Sequence, residues 1–240
     1  MPDPLIYQSG YSRAPKLLNG AFVQLVEDII AFVPNIVTFQ YNPRTISRAL
    51  TPWNPMAVDQ ADRGSQAPTI QPFDVPEKFS GFELEFDATD GMGVDHPVYN
   101  QFGVEPQLAA LRKMTQASRG LLGDLTASFK DLTGLGGATT EAQRPTVAPV
   151  LLILGPRLIL PVRITSFSTE ETLMSPTLYP IMAKVSLELE VMTPDTFRCQ
   201  SSKSAQIAIA AYELTRLQED AAAVLNLANL PSAISAVVPL

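Results

Sequence analysis

Histidine and cysteine are almost absent from this sequence: His96 and Cys199 are the only ones. One thiol cannot close an intrachain disulfide, so nothing asks for an oxidising compartment, and folding in a cytoplasm is the expectation. The usual catalytic signatures are also missing. There is no Gly-rich phosphate loop, no Gly-x-Ser-x-Gly elbow, no His-Glu-x-x-His and no Cys pair. Basic charge is scarce as well, with a net charge of -7 and a pI near 4.8, whereas a phosphate backbone needs a basic face to displace its counterions. Nucleic acid is therefore not expected as a partner. No uninterrupted apolar run approaches the roughly 18 residues of a membrane span, and Met1-Pro2-Asp3-Pro4 lacks a charged and then apolar leader. A soluble chain without direct membrane insertion or an export signal of its own is expected.

What remains is an ordinary globular balance, 46% hydrophobic and 17% charged over 240 residues, enough for one sizeable core or two small ones. The clearest pattern runs from Leu151 to Met192. An apolar run breaks at Gly155-Pro156, resumes through Leu160-Pro161-Val162-Arg163-Ile164, and ends with Val185, Leu187, Leu189 and Val191 alternating against Ser186, Glu188 and Glu190. That is strand, tight turn, strand, connector, strand, and it predicts a half-buried antiparallel sheet. Phe82, Leu84 and Phe86 alternate with Glu83 and Glu85 in a further strand, and two more, paired with each other, are read in Ala21 to Val33 and Asn35 to Tyr41.

Leu108, Leu111 and Met114 recur at helical spacing behind Glu105-Pro106, which predicts a short amphipathic helix over Glu105 to Ala117. A long helix is predicted over Ala205 to Ala228, followed by an apolar tail from Leu230 to Leu240. It reads either as a core helix or as an exposed docking helix. The organisation is thus an N-terminal arm (1–19), a β-rich domain (20–195) and a C-terminal helical extension (196–240). Within the domain lie a Pro-rich loop (51–76) and a Gly-rich insertion (120–144), the latter with room for a helical turn around Leu125 to Leu132. The fold class is mainly β, α+β: a β-barrel or sandwich with a short peripheral helix and a long C-terminal one.

Candidate chemistry is thin. Glu83, Glu85, Asp87, Asp90 and Asp95 with His96 lack the Asp-x-Asp-x-Asp-Gly spacing of a calcium loop, so they read as a wet strand face and an acidic turn. No metal site, cofactor or catalytic residue is assigned. His96, in a loop before Pro97, reads as a surface or turn residue, Glu170-Glu171 as a solvated turn, Cys199 as a small, partly buried apolar residue, and Met174, Met182 and Met192 as core filling. Trp53, among prolines, reads either as an anchor for a partner or as a plug for its own loop. A sugar-binding or hydrolytic sandwich would have to use the Trp53 loop with Asp87, Asp90 or Glu170.

The order of short motifs along the chain carries a resemblance. Phe39-Gln40-Tyr41-Asn42-Pro43 follows a strand; Leu84-Glu85-Phe86-Asp87-Ala88-Thr89-Asp90 and the helix at Pro106-Gln107-Leu108-Ala109-Ala110-Leu111 come next. Leu154-Gly155-Pro156-Arg157, Leu160-Pro161-Val162-Arg163-Ile164-Thr165-Ser166-Phe167 and Pro180-Ile181-Met182-Ala183-Lys184-Val185 complete it. Over roughly residues 20 to 195 this order resembles the tube-like baseplate adaptors, or tube initiators, of phage-tail-like contractile injection systems. Leu154-Gly155 stands where the family often has Trp-Gly, and Pro180-Ile181-Met182-Ala183 where it has Pro-x-Arg-Ala, so contacts of those Trp and Arg side chains are not carried over. The segment after Pro194 has no peptidoglycan-type LysM module, which many relatives carry.

The resemblance implies a tail-tube-like β domain and a non-enzymatic, structural role. It implies assembly in the cytoplasm, within a particle, of a ring, hexameric by expectation, that joins spike to inner tube. Partners would be further copies of the chain, the spike protein, the inner-tube protein and the baseplate wedge proteins. The inner-tube protein itself is the nearest alternative. Contacts between protomers or with partners are expected at Trp53, Tyr41, Asn42, Pro43, Arg157, Pro161, Arg163 and Pro180.

Overall fold

The computed structural model describes residues 18–26, 35–52, 74–93, 96–117, 147–198, 200 and 202–226. Their centre is one seven-stranded sheet in which every pairing is antiparallel: β1 (Ala21–Gln24), β2 (Asn35–Thr38), β3 (Ser47–Leu50), β4 (Glu77–Asp87), β5 (Val150–Leu154), β6 (Leu158–Met174) and β7 (Pro180–Val191). The strand order is β2-β1-β5-β6-β7-β4-β3. The fold is therefore mainly β, as the alternating apolar pattern predicts. The described strands make one hydrogen-bonded sheet and not two stacked ones.

That sheet curls. Phe22 on β1 and Phe82 on β4 stand four strands apart in the order, yet their rings lie 5.9 Å apart, and Phe39 closes the trio at 5.1 and 5.8 Å. All three rings are fully buried. Such tilted and edge-on contacts between phenylalanines suit their quadrupoles and fill the concave side. With Leu84, Phe86, Leu152, Leu160, Val185 and Leu187 they form the main core.

Two bulges shape the long strands. In β4 the register shifts between Phe79 and Phe82, where Gly81 takes φ 62°. Strict alternation would send Phe79 and Phe82 to opposite faces; the extra residue lets both point inward, and a positive φ is cheap only for glycine. A second shift, between Ile164 and Ser166, marks where β6 leaves the core.

Helices cover both sides. After β4 come α1 (Thr89–Gly93), α2 (Pro97–Phe102) and α3 (Glu105–Met114), and Leu108, Leu111 and Met114 of α3 are buried in the main core. Gly103, at φ 55°, joins α2 to α3, and a Cβ there would sit 2.1 Å from the Pro180 carbonyl oxygen. The next residue, Val104, donates its N–H to that same oxygen at 2.9 Å, so the junction can lie directly on β7. A 3-10 turn (Pro194–Phe197) leads to α4 (Lys203–Leu225), capped by the Ser202 hydroxyl accepting from the Ala205 N–H.

α4 lies on the outer face of the sheet. Ala211 packs with Leu25 and Leu151 over Val23, Ile153 and Ile159, while Tyr212 reaches the main core. The Thr215 hydroxyl donates to the Ile159 carbonyl at 2.7 Å and accepts from its N–H at 3.1 Å. The reason is visible in the ladder: β7 ends against β6 at Val162–Val191, so Ile159 has no strand on that side and the helix supplies its partner. Pro161 is tolerated in β6 for the same reason, because its absent N–H falls beyond the end of β7.

The short strand β3 and the helices α1 and α2 go beyond what the sequence pattern predicts. His96 lies before α2 with an extended backbone, at its N-cap position. Two expectations are corrected. Glu170 and Glu171 are not a turn but lie within β6, whose turn comes only after Met174. Met174 is 46% exposed and fills no core. The Leu125 to Leu132 turn, most of the Pro-rich loop, Cys199 and the tail from Leu230 lie outside the described residues.

Candidate assembly surface

β6 changes character along its length. From Leu158 to Val162 it pairs with β5, with β7 joining only at Val162 and α4 covering Ile159, and it is mostly buried. From Arg163 to Met174 it pairs with β7 alone, and among the described residues no strand occupies its other side. A long strand edge of this kind offers a row of N–H and C=O groups to an incoming strand. The ribbon ends in a turn closed by Leu178 N–H to Ser175 O at 2.9 Å and Ser175 N–H to Tyr179 O at 2.8 Å. Leu173 and Leu178 take φ values of 55° and 63°, in the left-handed region that branched side chains avoid, and are 63% and 79% exposed. The tip is thus both strained and apolar toward solvent.

The loop from Phe39 to Ile46 connects β2 to β3, the two ends of the strand order. Gln40 bridges them to β4: its Nε2 donates to the Asp87 carbonyl at 2.7 Å, and the Asp87 N–H donates to its Oε1 at 2.8 Å. One side-chain amide thereby mimics a rung of sheet. Tyr41 is exposed and its hydroxyl bonds Asp90 at 3.2 Å. Asn42 accepts from the Gly20 N–H at 2.8 Å and donates to the Leu18 carbonyl at 2.9 Å, which pins the chain before β1. Pro43 is half-buried beside it.

The other residues singled out from the sequence are scattered. Arg157 is exposed in the β5–β6 turn, and Pro161 and Pro180 are buried within the chain. Arg163 is exposed between two cavities of about 340 and 390 Å³, both of which it lines together with Met192. Trp53 lies outside the described residues. Tyr41, Asn42 and Pro43 are adjacent, Arg163 opens the free edge, and no single patch gathers all of them.

The carboxylates are dispersed as well. Glu83 pairs with Lys184 at 2.9 Å, Glu85 faces Arg44 at 3.8 Å, and Asp87 accepts from the backbone and hydroxyl of Thr89. Among the described residues no three His, Cys, Asp or Glu side chains form a group able to hold a metal. Glu170 points from the exposed half of β6.

One ionic cluster gave no sequence signal. The Glu77 side chain is fully buried at the start of β4 and receives both the Arg48 guanidinium of β3 and, at 3.1 Å, that of Arg216 on α4. Glu219 takes a further nitrogen of each arginine at 2.7 and 2.6 Å, and Arg216 stacks over Tyr212. Burial alone would raise the Glu219 carboxyl, but the hydrogen bonds from Arg48 and Arg216 outweigh it and hold the group below its ordinary range. Burial raises the Tyr212 phenol. The cluster ties the end strand β3, the sheet and α4 together.

No family model matches the chain. No curated protein matches it at sequence level either, so the reading of this surface rests on its geometry.

Proposed function

We propose that the chain is a structural ring protein of a phage-tail-like contractile injection system, joining the spike to the inner tube. The single observation that supports this reading is the edge of β6 from Arg163 to Met174, which no strand among the described residues pairs. A protomer that borrows a neighbour's strand along that edge satisfies its open backbone groups, and repetition of a head-to-tail contact closes into a ring. The strained, apolar hairpin tip adds a second contact at the end of the same ribbon. In this role the protein does mechanical work: the ring seeds tube polymerisation and passes the push of contraction to the spike.

The test is assembly. The chain is purified alone and with spike and inner-tube proteins of such a system, then examined by light scattering and electron microscopy, with rings or ring-capped tubes as the expected result. Lysines at Ser166 and Ser168, both exposed on the open half of β6, should blunt the edge and abolish rings while leaving the protomer folded. A monomer at all concentrations that joins neither protein overturns the reading.

A further inference from the structure

The outer face of α4 carries a pattern that neither the core nor the ring reading uses. Ile207, Ala210, Leu214, Leu217, Ala221 and Val224 follow one another at spacings of three, four, three, four and three residues, and all six are exposed. The four large ones are 42%, 43%, 66% and 63% exposed. This is the seam of a coiled coil drawn on the solvent side of a helix. It does not hold α4 in place, because Ala208, Ala211, Tyr212 and Thr215 on the opposite side already do so.

The spacing says what kind of element covers it. A seam that alternates between three and four residues presents holes to a second helix crossing at a shallow angle, and a strand with its two-residue repeat cannot follow it. From Ile207 to Val224 it runs about 25 Å at 1.5 Å per residue, long enough for several layers of knobs. Ala210 and Ala221, small residues between large ones, leave room for the partner's larger side chains.

The flanks say what charge that helix carries. Gln206, Glu213 and Asp220 recur every seven residues along one border of the seam, while Ala211 and Gln218 turn toward the sheet on the other. Beyond Lys203 the only basic residue of α4 is Arg216, and it is engaged with Glu77 and Glu219. A second copy laid antiparallel would set acid against acid, and laid parallel would set acid against Gln218 and Leu225. A basic border on the partner is the complement.

We propose that this seam docks one amphipathic helix of another protein, with lysine or arginine flanking its apolar stripe. The proposal concerns a different face from the free edge of β6 and stands without the ring reading. Two labelled synthetic peptides, about four heptads long with the same Ile/Leu seam, carry either Lys or Glu at the flanking positions. The full chain should bind the Lys peptide about tenfold or more tightly than the Glu peptide, with affinity falling as salt rises. Leu214→Ser with Leu217→Ser should abolish binding without altering charge or the thermal melt. Glu213→Lys with Asp220→Lys should reverse the peptide preference. Equal binding of both peptides, binding that survives the serine pair, or no reversal by the lysine pair overturns the proposal. So does self-association of the chain that the serine pair removes, since the seam would then belong to a second copy.

Discussion

β6 is one strand with two halves, and they obey different rules. Between Leu158 and Val162 both sides of the strand are covered: β5 pairs on one, and on the other the Thr215 hydroxyl bonds Ile159, the Met192 N–H donates to Pro161, and β7 begins opposite Val162. Leu158, Leu160 and Val162 are buried. Beyond the bulge after Ile164 the strand continues to Met174 with one strand neighbour among the described residues, mostly polar side chains apart from Phe167, which packs against the main core, and an apolar tip. The first half makes the fold, and the second, beyond the packing of Phe167, is stiffened by the fold and adds little to its core. Stability and assembly should therefore separate along a single strand, and substitutions in each half can show whether they do.

The largest expected effect lies in the aromatic trio at the heart of the first region. Phe82→Ala should cost about 3–5 kcal/mol, because it opens a cavity between Phe22 and Phe39 that a curled sheet cannot collapse to fill. Denaturant unfolding measures it; a loss below about 1 kcal/mol would mean that the trio does not hold the curl. Glu77→Ala comes next, at about 3 kcal/mol, since it leaves two arginines facing each other without the buried carboxylate between them. Acid should attack the same cluster. The folded form holds Glu219 below the unfolded carboxyl value of about 4.3, so its contribution is present above that pH and is lost as pH falls through the lower folded value. Glu219→Gln should accordingly flatten the fall in melting temperature below about pH 4. Thr215→Val, which strands the N–H and C=O of Ile159, should cost about 1–3 kcal/mol and loosen α4 first, as hydrogen exchange would read.

The sequence displays the sheet well because a buried strand leaves a two-residue period: Val185 to Val191 and Phe82 to Phe86 lie on the faces that their alternation predicts. It displays less where one residue serves a distant partner. Gln40 is one polar residue in a loop until the curl brings Asp87 to it, and Glu77 is one more acid until β3 and α4 each deliver an arginine. Phe79 and Phe82 break the alternation, and only the bulge at Gly81 explains both. For the C-terminal helix, composition does not separate a core helix from a docking helix, because the helix has two apolar faces. The inner one packs on the sheet, and the outer one is the exposed seam. Of the contact residues inferred from resemblance, Asn42 has a clear use within the chain, pinning Gly20 and Leu18, which no local spacing announces.

The smallest effect on stability should come from the tip of the second region, where Leu178 combines a φ of 63° with 79% exposure. Glycine at this position removes a left-handed strain of about 1–2 kcal/mol and adds about 0.5–1 kcal/mol of unfolded-chain entropy. Leu178→Gly should therefore melt at or slightly above the parent temperature. If the leucine were only a poor choice of turn residue, nothing else would change. If the tip is a contact, the same protein should lose ring formation, or incorporation beside the tube and spike proteins, while folding as well as before. A variant that is no less stable yet cannot assemble would separate the two halves of β6 cleanly. One that assembles normally would place the contact along the open edge from Arg163 to Met174, where the lysine pair at Ser166 and Ser168 acts, and not at the turn.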